Sequence, residues 1–138
     1  MNLSRRSFFK QAGAVALPLI AGCAAAGTLT HRVPVQNGKA FVAVADFPEL
    51  SAVGGAIKLQ VEGKKDPIFL IRAEESRYLA FSSVCTHLGC QVRKLPQSFR
   101  CPCHGSTYDL EGAVLRGPAQ KPMTRFRTEA VDGGVIIF

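Results

Sequence analysis

Two short boxes rich in cysteine and histidine constrain this chain more than any other feature. They contain four of its five cysteines and two of its three histidines, and read C-T-H-L-G-C at 85–90 and C-P-C-H-G-S at 101–106. In each box a cysteine and a histidine lie two or three residues apart, so that one extended or tightly turned loop can present both side chains to one metal centre. A glycine after each pair allows a positive φ and a close approach of the backbone to a cofactor. The candidate ligands are Cys85, His87, Cys101 and His104.

Spacing alone leaves other interpretations of the boxes open. Two cysteines and two histidines are also a zinc ligand set, although zinc sites of this kind favour C-x₂₋₄-C with H-x₃₋₅-H. Plain structural disulfides would use all four cysteines but would leave both histidines without a role. A nucleophilic cysteine–histidine pair would need a third, orienting group, and the sequence shows no evident one.

Both boxes resemble those of the Rieske family, C-T-H-x-G-C and C-P-C-H-G-S, at every fixed position. The resemblance implies one 2Fe-2S cluster, with Cys85 and Cys101 on one iron and His87 and His104 on the other. Neutral imidazoles in place of two thiolates remove negative charge, which raises the reduction potential to roughly −150 to +300 mV. The implied activity is electron transfer, as a subunit of an oxidoreductase that is not catalytic alone.

The remaining cysteines of the boxes place the chain near the disulfide-containing, high-potential branch of that family, which resembles the bc complexes. By this resemblance Cys90 and Cys103 form a disulfide that ties the two loops together, and such a bond needs an oxidising compartment. Ser106 and Tyr108 match positions that donate hydrogen bonds to a bridging sulfide and to a ligand-cysteine sulfur. A donor aimed at sulfur stabilises the added electron; the alternative roles are a turn serine and a core tyrosine.

Two further features adjoin the boxes. Gly117-Pro118-Ala119-Gln120 resembles the G-P-A-P loop that covers the cluster in this family, from which Gln120 departs. Leu88 matches a residue that packs at the docking surface of quinol-oxidising relatives, or is simply a loop leucine.

The remainder of the chain predicts an all-β fold, a Rieske-type antiparallel sandwich or barrel with a loop-rich cluster-binding subdomain. Period-two alternation favours a strand over 56–61 and a weaker one over 40–45, and an unbroken apolar run favours a strand over 67–73. The segment 77–83 follows a turn and is expected to pair with 67–73 as a hairpin, and two short strands close the chain over 125–131 and 134–138. We expect a tether over 23–38, which includes a solvated His31, and the domain over 39–138, with its cluster-binding part at about 84–122.

The N-terminal residues 1–22 are typical of an export signal. The stretch S-R-R-S-F-F-K at 4–10 resembles the twin-arginine (Tat) signal, and L-I-A-G-C at 19–23 resembles a bacterial lipobox ending in Cys23. Three interpretations stay open: lipidation of Cys23, simple cleavage, or an uncleaved helical anchor over the uncharged residues 11–30, which are just long enough to span a bilayer. Each places the domain outside the cytoplasm, on the periplasmic side of a bacterial membrane.

The net charge and the distribution of basic residues bear on one class of function, nucleic-acid binding. The formal net charge is +7, but the basic residues are scattered among acids, which argues against nucleic-acid binding. The leading hypothesis is quinol oxidation with a membrane b-type cytochrome, from which electrons pass to a periplasmic c-type cytochrome. The alternatives are the small subunit or carrier of a periplasmic oxidoreductase that resembles arsenite oxidase, and an oxygenase ferredoxin.

Overall fold

The computed structural model describes residues 28–138, which form an all-β architecture of three sheets. The predicted signal segment 1–22 and the candidate lipidation residue Cys23 lie outside the described residues. Within 28–138 no helix has the length and apolar character needed to cross a membrane.

The central sheet has five strands in the order β1-β4-β5-β6-β11. These strands are β1 (Thr30–Val33), β4 (Ala56–Val61), β5 (Ile68–Arg72), β6 (Tyr78–Ser82) and β11 (Arg125–Phe126). All neighbours pair antiparallel except β1 and β4, which pair parallel. The predicted 67–73 and 77–83 segments form the β5–β6 hairpin.

The terminal sheet has four strands in the order β12-β13-β3-β2. These strands are β2 (Val35–Gln36), β3 (Lys39–Ala43), β12 (Thr128–Val131) and β13 (Gly134–Ile137). Two short 3₁₀ turns, Val44–Asp46 and Pro48–Ser51, lead from β3 to the central sheet.

The small sheet lies within the segment expected to bind the cluster and has the order β10-β9-β8-β7. These strands are β7 (Arg93–Leu95), β8 (Ser98–Arg100), β9 (Thr107–Tyr108) and β10 (Val114–Arg116). Loops join the short strands. The first cysteine–histidine box lies between β6 and β7, and the second box is the loop between β8 and β9.

The central sheet supplies both hydrophobic cores. Successive residues of a strand point to opposite faces, so Ile68 and Leu70 join the core shared with the terminal sheet, whereas Phe69 and Ile71 join the core shared with the small sheet. This explains the unbroken apolar run of β5, all of whose first four residues are buried. The small sheet therefore packs on a hairpin that is buried on both of its faces.

Within the expected tether 23–38, the described residues from Thr30 onward are not a simple linker, because β1 and β2 belong to the sheets. Val33 is buried in the core, and its strand pairs with β4 over four residues. His31 packs edge to face on Phe47, with 4.9 Å between ring centroids, so it is not simply solvated. These short strands flank Pro34: β1 pairs with the distant strand β4, whereas β2 forms a tight hairpin with β3.

Candidate metal centre

The first box forms a six-residue loop that follows β6. The Cys85 N–H donates to the Cys90 carbonyl at 2.8 Å, and the Gly89 N–H donates back to the Cys85 carbonyl at 3.0 Å. Gly89 has φ +80°, a conformation that costs glycine little. The Val84–Gln91 bridge closes the base of the loop.

The second box repeats this loop between β8 and β9. The Cys101 N–H donates to the Ser106 carbonyl at 2.8 Å, and the Gly105 N–H donates to the Cys101 carbonyl at 3.0 Å. Gly105 has φ +78°. Two loops of the same backbone form thus each begin with a buried cysteine and present a histidine, at the third position of the first loop and the fourth position of the second.

The structure brings the four predicted ligands together in pairs. The Cys85 and Cys101 thiols are each 2% exposed and are the free cysteines of the described residues. The His87 and His104 rings lie 5.0 Å apart between centroids and perpendicular to each other. His104 is exposed and His87 is half-buried.

Among these four side chains, one polar atom, the Nδ1 of His87, is buried without a hydrogen-bond partner within residues 28–138. A buried nitrogen normally has a partner, and here it lies in a set of two thiols and two imidazoles. That donor set suits a Rieske-type cluster, whose irons take two cysteines and two histidines.

The structure contains the disulfide that the family resemblance implied. Cys90 is bonded to Cys103 across 13 residues of sequence, which links the two loops. Both of its sulfurs lie within 4.8 Å of the Cys101 sulfur. Sulfurs joined in a disulfide cannot also be thiolate ligands, so this group of three cysteines offers a metal only the Cys101 thiol.

Tyr108 lies fully buried on β9 against the first loop. Its hydroxyl lies 3.2 Å from the Cys85 sulfur and 3.0 Å from the Thr86 hydroxyl, and it accepts a hydrogen bond from the Thr86 N–H at 3.2 Å. Burial raises the pKa of the Cys85 thiol, but hydrogen bonds from Tyr108, the His87 backbone and other neighbours outweigh burial and lower it. The same burial, together with the Cys85 contact, raises the pKa of the Tyr108 hydroxyl. The surroundings of Cys85 therefore favour negative charge on sulfur.

Ser106 connects the site to the proline loop. Its hydroxyl is buried and accepts a hydrogen bond from the Ala119 N–H at 3.0 Å, and Ser106 is also among the groups that lower the pKa of Cys85. The loop enters through a cis bond between Gly117 and Pro118. Ala119 is buried, whereas Gln120 is exposed.

Thr86 was not predicted from the sequence as a site residue. Its hydroxyl donates to the Lys121 carbonyl at 2.7 Å, so the first loop holds the chain just after the proline loop. A threonine between the two candidate ligands of the first box was the only available signal. Leu88, by contrast, is 69% exposed at the tip of the loop.

A β domain in which two matching loops gather two buried thiols and two imidazoles defines a metal-binding protein. The model of the Rieske [2Fe-2S] domain family matches residues 40–127. The chain therefore belongs to the Rieske [2Fe-2S] domain family, and its cofactor is a 2Fe-2S cluster.

Curated relatives agree with this family. The chain is 34% identical over 126 residues to the cytochrome b6-f complex iron-sulfur subunit 1 of Nostoc sp. (strain PCC 7120), covering 88% of this chain and 67% of the relative. It is 39% identical over 79 residues to the chloroplastic cytochrome b6-f complex iron-sulfur subunit of Chlamydomonas reinhardtii, covering 54% of this chain and 38% of the relative. The match thus spans well under half of the algal relative.

A solved structure agrees with both the fold and the family. The crystal structure of the cyanobacterial plasma membrane Rieske protein PetC3 from Synechocystis PCC 6803 superposes with a TM-score of 0.54 at 29% identity, covering 61% of this chain and 86% of that chain.

Proposed function

We propose that Cys85, His87, Cys101 and His104 hold the 2Fe-2S cluster. The observation that carries the proposal is the convergence of two buried free thiols with two neighbouring imidazoles, one of which has a buried, unpartnered Nδ1. When bound, the cluster supplies reversible one-electron transfer.

The residues around the cluster control charge and water. The Tyr108 hydroxyl lies 3.2 Å from the Cys85 sulfur and would donate its proton to a cluster-bound thiolate there, and a donor at sulfur favours the reduced state. The disulfide and the proline loop cover the site. If the buried Nδ1 of His87 held the metal, its Nε2 would be left to hold an exchangeable proton, and the exposed ring of His104 would provide a second such position.

A site that would take up a proton together with an electron suits quinol oxidation, which releases both. The chain then acts as the iron-sulfur subunit of a membrane quinol-oxidising complex that resembles cytochrome bc complexes. Its partners are a b-type cytochrome and a c-type cytochrome. The curated relatives described above, which are iron-sulfur subunits of cytochrome b6-f complexes, support this assignment.

The N-terminus supports a location on the periplasmic side of a bacterial membrane. The twin-arginine-like residues 4–10 direct Tat export, and Cys23 is the lipid-bearing residue that anchors the mature chain. Mass spectrometry of the membrane-extracted protein tests both: a chain that begins at a lipid-modified Cys23 is expected, and an intact residue 1–22 segment contradicts lipidation.

The midpoint potential of the loaded, full-length protein tests the quinol assignment. We expect a value within the upper part of the roughly −150 to +300 mV Rieske range. A potential well below about 0 mV would exclude quinol as the donor.

A second candidate is the iron-sulfur small subunit of a periplasmic oxidoreductase. The observation that favours it is the lipobox-like N-terminus, where Pro18 and many small residues make residues 11–30 a weak membrane span. Genes that neighbour this one decide between the two: a b-type cytochrome supports the first candidate, and a molybdenum enzyme supports the second.

A further inference from the structure

The small sheet carries a row of arginines on its outer face. Arg93 is paired with Arg100, Arg100 with Thr107, and Thr107 with Arg116. Residues paired directly across neighbouring strands point to the same side of a sheet. The three arginines, called here the arginine row, are all exposed and cross a sheet whose strands lie about 4.8 Å apart.

Nothing in the small sheet neutralises this row. Residues 84–122 contain five basic and two acidic residues. Asp109 accepts hydrogen bonds from two backbone N–H groups of its own turn, and Glu111 is paired with Arg77. Within the described part of the chain, no arginine of the row forms a salt bridge. Like charges placed directly opposite each other destabilise a sheet. The pairing of Arg93 with Arg100 therefore does not stabilise the small sheet, and a role outside the fold would explain the row better.

Exposed leucines lie beside the row. Leu95 is 40% exposed on the same face as Arg93, and Leu115 is 62% exposed in the irregular strand β10. Protein interfaces are enriched in arginine and depleted in lysine relative to the rest of the surface. All three basic residues of the row are arginines and none is a lysine, and a guanidinium can form two parallel hydrogen bonds to one carboxylate.

The position of the row connects it to the metal centre. Arg100 directly precedes Cys101, and Thr107 directly follows Ser106, so the row crosses the two strands that the second loop joins. The opposite face of the same strands carries Phe99 and Tyr108, which are buried against the central sheet. A molecule bound to the outer face thus contacts the base of the second loop directly.

We propose that the outer face of the small sheet docks a redox partner protein with an acidic surface, whose carboxylates pair with Arg93, Arg100 and Arg116. This inference rests on the proposed electron-transfer function and adds the location and the charge of the partner surface. Complementary charge steers association and raises its rate, by about 10- to 1,000-fold in strongly steered pairs.

The test measures electron transfer from the reduced, full-length, cluster-loaded protein in neutral detergent by stopped flow. The probes are a soluble c-type cytochrome of negative net charge and one of positive net charge. The row variant is R93Q/R100Q/R116Q. The matched control, R32Q/K65Q/R127Q, removes the same net charge from exposed positions outside the small sheet.

We expect the row variant to react about 10-fold more slowly than wild type with the negative cytochrome at low ionic strength, and the difference to vanish at high salt. The control variant should stay within about 2-fold, and the positive cytochrome should react no more slowly with the row variant. Equal slowing by both triple variants would show that the rate depends on net charge alone, and it would overturn the inference.

Two further measurements separate the alternatives. Sedimentation with vesicles of 70% phosphatidylcholine and 30% phosphatidylglycerol tests a lipid role; loss of vesicle binding with unchanged cytochrome rates assigns the row to the membrane and overturns the inference. The cluster spectrum and its reversible reduction are recorded first. Failure there refutes the proposed function, whereas a normal cluster with rates insensitive to the row refutes this inference alone.

Discussion

Tyr108→Phe is the sharpest single test of how the chain tunes the metal centre. The Thr86 hydroxyl donates its proton to the Lys121 carbonyl, and the Thr86 N–H already donates to the Tyr108 oxygen. The only remaining proton is that of the Tyr108 hydroxyl, which has two acceptors: the Cys85 sulfur at 3.2 Å and the Thr86 hydroxyl oxygen at 3.0 Å. Phenylalanine fills the same buried space but removes this proton.

The expected shift follows from the strength of such a bond. A hydrogen bond to a charged acceptor contributes about 1.5–3 kcal/mol. The potential depends only on how much stronger this hydrogen bond becomes when reduction adds negative charge to the sulfur. Because the proton is shared between two acceptors, we take that increase as about 1 kcal/mol, below the full strength of the bond. For a one-electron couple about 59 mV corresponds to 1.4 kcal/mol, so we expect a potential lower by about 40 mV.

The assay is a redox titration of the loaded protein followed by EPR. Tyr78→Phe is the matched control, since the other tyrosine of the chain is half-buried at the start of β6 and its hydroxyl makes no hydrogen bond within residues 28–138. Its potential should equal that of wild type. An unchanged potential in Tyr108→Phe, or an equal fall in both variants, would refute the proton assignment.

Three predictions concern stability. Cys90→Ala with Cys103→Ala opens the link between the loops, which costs about 3 kcal/mol and lowers Tm by about 10–15 °C; a Tm within about 2 °C of wild type would contradict this. A hydrogen bond from the Arg77 guanidinium lowers the pKa of Glu111. The contribution of this pair to the stability of the fold is therefore complete above the ordinary carboxyl pKa and is lost as pH falls through the lowered value. Glu111→Gln should flatten Tm against pH in that acidic range, and an unchanged slope would count against the pairing. Gly112→Ala places a methyl group 2.7 Å from a buried phenylalanine ring, whereas Gly133→Ala has nothing within 4 Å at a similar positive φ; calorimetry should show the first variant less stable by about 1–3 kcal/mol, and equal losses would mean that only backbone strain matters.

Much of the scaffold could be predicted from the sequence. The period-two pattern over 56–61 coincides with β4, and the two apolar segments that follow it form the expected hairpin. The run Ile68–Ile71 indicated a strand but not the reason for its lack of alternation, which is burial on both faces between two cores. Strand β1 was missed because four residues before Pro34 carry little pattern, and its parallel pairing with β4 depends on a long-range contact.

The candidate site could be predicted as a set of residues but not as a network. The two boxes identified the candidate ligands and, through the family resemblance, the disulfide that the structure contains. The bond from Thr86 to Lys121 connects residues 35 positions apart, and no sequence pattern encodes it. The arginine row likewise depends on strand register, because its members are seven and sixteen residues apart along the chain.

We propose that one chain holds a two-iron cluster through two cysteines and two histidines. Pulsed EPR of the reduced, full-length protein, grown with ¹⁴N- or ¹⁵N-histidine, tests it most directly. We predict two iron per chain and two strong nitrogen couplings that change with the isotope, one of which is lost in a His87→Cys variant that still loads. An EPR-silent zinc site, or a two-iron cluster without histidine nitrogen couplings, would contradict the account.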